Sequence, residues 1–114
     1  MITAKFFENE LKDRFEITIT GHAQAAEKGK DLICAGTSVL SLTLLQVIKT
    51  MESQGFFVNN VKAKVKDGFT SIVCKPKAEY YQTVLNSILT LKTGFNMLAT
   101  MFGGYIEVVD VGNV

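Results

Sequence analysis

The spacing of hydrophobic and polar positions changes several times along the chain, and each change marks an element. Residues 2–7 form a first apolar-rich segment that closes in the polar turn Glu8-Asn9-Glu10. Phe15, Ile17 and Ile19 then alternate with Glu16, Thr18 and Thr20, the period-two signature of a half-buried strand. Over residues 32–54 the period becomes helical. Leu40, Leu44, Val47, Ile48 and Met51 share one stripe at about 100° per residue. Val39, Leu42 and Leu45 lie off that stripe, so a second helix face is apolar as well. A small chain has difficulty covering both faces alone, which points to a homodimer.

Further on, Val61, Ala63 and Val65 alternate with Lys62, Lys64 and Lys66, predicting a strand with one apolar and one positive face. Asp67-Gly68 suits a two-residue primed turn, and residues 69–75 form the returning strand. Pro76 fits the first position of a second helix, where a missing N–H costs nothing. There Tyr81, Val84, Leu85, Ile88, Phe95, Leu98 and Phe102 make one apolar stripe, and Met97 and Met101 read as core beside it. Gly94 weakens a helix relative to alanine, so a close approach is expected there. Gly103-Gly104 ends the helix and residues 105–111 make a last strand. The order ββαββαβ predicts a two-layer α+β fold, with two helices packed on one face of a mixed or antiparallel sheet.

Composition narrows the function. The 114 residues contain no linker and no low-complexity tract, so residues 1–114 read as a single domain. Twelve basic and eleven acidic residues leave a net charge of +1, too little for a general nucleic-acid binder. The lysine face at 62–66, continued by Lys75 and Lys77, reads as a solvated sheet face, and no direct nucleic-acid contact is expected. Two cysteines are too few for a disulfide framework, and with one histidine they fall short of four zinc ligands. No metal and no other cofactor is expected. No apolar stretch reads as a signal segment or an uninterrupted membrane span, so the expectation is a soluble cytoplasmic protein without a membrane partner.

Candidate chemistry gathers in Gly21-His22-Ala23, Gly29, Asp31 and Cys34, where a strand runs through a glycine-containing loop into a helix. Asp31 suits the N-cap, which puts Cys34 in the first helical turn. A thiolate there is favoured by unpaired N–H groups and by the positive end of the helix dipole. His22 is the only imidazole able to raise the thiolate fraction and later protonate a leaving amine. On this reading Cys34 is the nucleophile and His22 the base and acid, with first-turn N–H groups available to an oxyanion. Asp31 either caps the helix or orients His22 as a third member. Ser38, four residues past Cys34, can line the site. The same residues also admit a plainer account, in which Cys34 is a small packed side chain and His22 a surface one. Cys74, mid-strand, reads as an inert packed thiol.

Gly21-His22-Ala23, Gly29-Lys30-Asp31 and Ile33-Cys34-Ala35 followed by Ser38 resemble the signature of the ribosomal-processing cysteine protease family, small bacterial proteins. The resemblance covers essentially the whole chain. It implies an endopeptidase that removes a short N-terminal extension from a large-subunit ribosomal protein precursor. The nucleophile then falls on Cys34, the base on His22 and the supporting acid on Asp31. Gly21, Ala23, Gly29 and Ser38 become the candidates for substrate contact. It also implies an aromatic pair before the scissile bond, hence an apolar pocket near the loop at 21–30, which would act as a gate. Gln24-Ala25 and Gly36-Thr37 depart from the family's commoner residues and bear on loop shape and substrate fit. The alternatives are a non-catalytic ribosome-associated module that uses the lysine face, and a redox sensor built on a reactive Cys34.

Overall fold

Alternation sets the central strands. In β1 (Ile2–Glu8) the side chains of Ile2, Ala4, Phe6 and Glu8 are buried, and in β2 (Phe15–Thr20) those of Phe15, Ile17 and Ile19. The other elements are α1 (Leu32–Ser53), β3 (Lys62–Lys66), β4 (Phe69–Cys74), α2 (Tyr81–Met101) and β5 (Ile106–Val111), with a 3-10 turn at Ala78–Tyr80. They belong to a computed structural model that describes residues 1–26, 31–112 and 114. The sheet runs β3-β4-β2-β1-β5. Every pairing is antiparallel except β1 with β5, which is parallel, so the sheet is mixed. The parallel pair requires a crossover, and α2 supplies it.

Both helices lie on the sheet face that carries Ile17, Ile72, Phe6 and Ile106, and one core joins the two layers. Its centre is built from Leu44 and Ile48 of α1 and Val84, Ile88 and Phe95 of α2. Phe95 meets Phe6 edge-on with ring centroids 5.7 Å apart. The two helices touch where both chains lack bulk. A Cβ on Gly94 would stand 2.7 Å from Leu40 Cδ2, and one on Gly36 would stand 3.4 Å from Leu98. The close approach expected at Gly94 is therefore present. α1 is long and apolar enough by length and composition to cross a membrane, against the sequence expectation. Here it is seated on the sheet through Ile33, Leu44, Ile48 and Met51.

Four local expectations change. First, β3 has no buried face: all five of its residues are exposed, because it is the sheet edge and extends past the cover of the helices. Val65 is 49% exposed, and only Val61, just before the strand, is buried. The lysines that alternate along this edge discourage pairing with another chain. Second, the β3–β4 turn is not primed. Gly68 has φ +69° while Asp67 is not among the residues of positive φ, the sign pattern of a type II turn. Third, Pro76 does not start α2. It pairs with Phe57 in an isolated bridge, where Lys75 O and Lys77 N make the hydrogen bonds and a proline nitrogen is not needed. Fourth, Met97 and Met101 are not core. They are 59% and 65% exposed on the outer side of α2, because the buried stripe runs through Val84, Leu85, Ile88 and Phe95.

Where β2 ends, Gly21 takes φ +98°, and a Cβ there would lie 2.2 Å from the backbone oxygen of Met1. Strain and collision act together, and the obstacle is main chain that cannot swing away. Gly21→Ala is expected to lose about 1–3 kcal/mol of stability or more, measured as a lower urea midpoint at unchanged slope.

Candidate active site

One end of the sheet collects the chemistry. The register Thr3↔Thr20 and Thr20↔Phe69 brings the start of β1, the end of β2 and the β3–β4 turn side by side. Gly21 N–H donates to Gly68 O at 2.9 Å, and Met1 N donates to His22 O at 2.8 Å. His22 is thus held through its backbone while its side chain remains exposed. Its ring lies against Gly68, where an added Cβ would stand 2.4 Å from Nε2 and 2.9 Å from Cε1. The turn glycine has two tasks: it adopts a positive φ, and it leaves room for the imidazole.

The N-terminus of α1 meets this end. Asp31 is its N-cap, with Oδ1 accepting from Ile33 N at 3.0 Å and from Cys34 N at 3.1 Å. Oδ2 accepts from Ala25 N at 2.9 Å, tying the segment after His22 to the helix start. The Cys34 N–H holds the Asp31 carboxyl below the usual carboxylate range, with the Ala25 N–H, the Cys34 thiol and the Ile33 N–H adding to it and burial opposing. Of the two roles open to Asp31, the cap is the one observed. Among the described residues no hydrogen bond links it to His22. The arrangement also narrows the expected oxyanion donors. The Ile33 and Cys34 N–H groups are committed to Asp31 Oδ1, and Ala35 N–H bonds Asp31 O at 3.0 Å.

Cys34 is half-buried, and it lines two cavities together with His22. The first, of about 350 Å³, runs between α1 and the strands and reaches Thr37, Val65 and Phe69. The second, of about 400 Å³, opens on the other side, beside Asp31 and Asp67. Ser38 borders both, and Gly21 borders the first. Ala23 does not border either; its side chain is 6% exposed and belongs to the core. Gly29 and the rest of residues 27–30, expected at the gate, lie outside the described residues. Among the described residues no hydrogen bond joins imidazole to thiol, and no cluster of three or more His, Cys, Asp or Glu could hold a metal ion.

Sequence reasoning missed Gly68 and Asp67 as site residues, and named Thr37 only as a departure from the family's commoner residues that bears on substrate fit. Thr37 was within reach, since it follows Cys34 by three residues on the same helix and so faces the same way. Gly68 and Asp67 come to His22 only through the pairing of β4 with β2, which no local spacing displays.

A family profile described as cysteine protease Prp matches residues 1–107. The chain belongs to the cysteine protease Prp family. Solved structures agree with that in fold. The essential ribosomal processing protease Prp from S. aureus, in complex with a covalently linked product peptide, is 19% identical, with a TM-score of 0.74 over 96% of this chain and 99% of that one. The same S. aureus protease in complex with a substrate peptide gives 0.67 at 16% identity, over 96% and 99%. SMU.848 from Streptococcus mutans gives 0.67 at 21% identity, over 97% and 94%. No curated protein sequence matches the chain.

The two thiols of this Prp family member differ sharply. Cys74 is 3% exposed in β4, and burial pushes its thiol up to about 12. Cys34 stands at a cavity mouth at the positive end of a helix. Iodoacetamide near neutral pH should therefore modify Cys34 alone, with Cys74 reacting only on unfolding. Peptide mapping by mass spectrometry checks this, and equal rates at the two sites would refute it.

Proposed function

We propose that the chain is a cysteine endopeptidase that removes the short N-terminal extension of a large-subunit ribosomal protein precursor, with Cys34 as nucleophile and His22 as general base and acid. The observation that carries this reading is the shared cavity. In a member of the Prp family, the one half-buried cysteine lines the same two cavities as the one histidine, at a helix N-terminus.

The chemistry follows from the placement. His22 takes the Cys34 thiol proton, and the thiolate adds to the scissile carbonyl carbon. The tetrahedral intermediate collapses as His22 returns that proton to the leaving amine, leaving a thioester on Cys34. Water, deprotonated by His22, then releases the new carboxylate. The dipole of α1 favours the thiolate, whereas the charge of Asp31 opposes it. That opposition is blunted because three N–H groups already draw on the carboxylate. Asp31 acts as a positioning residue that holds Cys34 at the start of α1. A thiol nucleophile must stay reduced, so the proposed location is the cytoplasm.

A second copy of the chain is the proposed cover for the outer helix face. Val39, Leu40, Met97 and Met101 line an apolar groove between α1 and α2, and none of its lining residues is charged, so it offers an ionic partner no handle. Light scattering at micromolar concentration should return twice the chain mass; a monomer would remove the dimer from the reading.

Incubation with the extended precursor, followed by mass spectrometry, tests the activity. Cys34→Ala should lose cleavage by about 10⁴-fold or more and keep a native circular dichroism spectrum, since truncation at a cavity mouth disturbs little packing. His22→Ala should lose about 10²–10⁴-fold. Cleavage by Cys34→Ala at a rate near that of the parent chain would defeat the assignment.

A further inference from the structure

An imidazole that is to take a proton at one nitrogen must carry its own on the other, and that N–H needs an acceptor to fix the ring. Asp31 does not supply it. Both Asp31 oxygens are engaged by backbone N–H groups, and among the described residues no hydrogen bond joins either of them to the imidazole. The ring itself shows where the acceptor belongs. The three atoms nearest to an added Gly68 Cβ are Nε2, Cε1 and Cδ2, at 2.4, 2.9 and 3.1 Å. The Nε2 corner therefore points at the β3–β4 turn, and Nδ1 lies on the side away from it.

That turn carries a carboxylate. Asp67 directly precedes Gly68 and borders both cavities that His22 and Cys34 share. Elsewhere Asp13, Glu16, Glu52 and Asp110 each hold a basic side chain. Among the described residues Asp67 makes no hydrogen bond and no ion pair, although Lys66 adjoins it. Gly68 O already accepts from Gly21 N–H at 2.9 Å. We propose that Asp67 is a positioning residue of the site: its carboxylate accepts from His22 Nε2–H and so turns Nδ1 toward the Cys34 thiol. This rests on the protease reading, in which His22 removes the thiol proton. Both side chains are exposed, so no packing hinders the rotation that joins them, and a peptide seated over the cavities excludes the water that screens the pair.

The charges around the thiol give the test its sign. By charge alone Asp67 and Asp31 disfavour a thiolate at Cys34, whereas Lys66 and the Met1 amine favour it. Removing Asp67 by that route would speed alkylation of Cys34. Losing the positioning bond slows it, because the imidazole no longer draws the thiol proton.

Iodoacetamide alkylation of Cys34 near neutral pH is timed by mass spectrometry in the parent chain, Asp67→Ala, Asp67→Asn, His22→Ala and the double variant of Asp67→Ala with His22→Ala. Asp67→Ala should slow the reaction about threefold. Asp67→Asn keeps an acceptor oxygen without the charge and should restore most of the rate. In the His22→Ala background Asp67→Ala should cause no slowing, since the carboxylate acts through the imidazole. On the precursor, Asp67→Ala should lower kcat roughly tenfold with KM within about twofold of the parent value. Alkylation that is unchanged or faster in Asp67→Ala, an equal slowing without His22, or an intact kcat overturns the proposal. Alkylation needs no cleavage. Failure of the parent chain to process the precursor would therefore count against the protease reading, while the alkylation cycle still decides the role of Asp67.

Discussion

Everything at the reactive end hangs on one carboxylate. Asp31 collects three backbone N–H groups from two segments, Ile33 and Cys34 of the helix and Ala25 of the stretch that follows His22. It thereby starts α1, sets Cys34 at the third helical position and moors the histidine-bearing segment to the helix. Because these bonds favour the charged form, the folded carboxyl titrates below its ordinary value of 3.8. Its contribution to stability is accordingly complete above that value and is lost as pH falls through the lower, folded one. The charge that makes the staple strong is also the one least welcome beside a thiolate. The structure answers by engaging both oxygens of the carboxylate with the backbone.

Histidine is positioned by the opposite means, an absence of atoms. Gly68 leaves space for the ring where any side chain would collide, and Gly21 lets the chain cross Met1 at a distance no Cβ allows. Two glycines forty-seven positions apart thus set the place of one imidazole. Substitution at either would move His22 without touching it.

The strands and helices were legible because their signals are local and repeat. Phe15, Ile17 and Ile19 alternate whatever the tertiary context, and the cap at Asp31 with Cys34 three residues later is a property of one helix start. The failures share a cause, which is that position in the sheet is not written locally. The alternation of Val61, Ala63 and Val65 looks like that of β2, yet β3 is an edge beyond the cover of the helices. Met97 and Met101 have the composition of core residues and occupy the outer side of their helix. Pro76 has the chemistry of a helix start and is used in a bridge instead. At the site, His22, Cys34 and Ser38 could be named from the residues, whereas Gly68 could not, since its proximity depends on β4 pairing with β2.

That dependence on β4 has a consequence for how the protein comes into being. His22 and Cys34 are both made early, within the first third of the chain, but the walls of the cavity they share are completed by Val65, Gly68, Phe69 and Thr70. Until those later residues have left the ribosome and closed onto β2, the thiol and the imidazole have no common pocket and no floor beneath the ring. Loop closure across some forty residues must precede it, which makes this end of the molecule a late event in folding. A nascent chain therefore carries its reactive groups unassembled through synthesis, and competence arrives with the second half of the sheet.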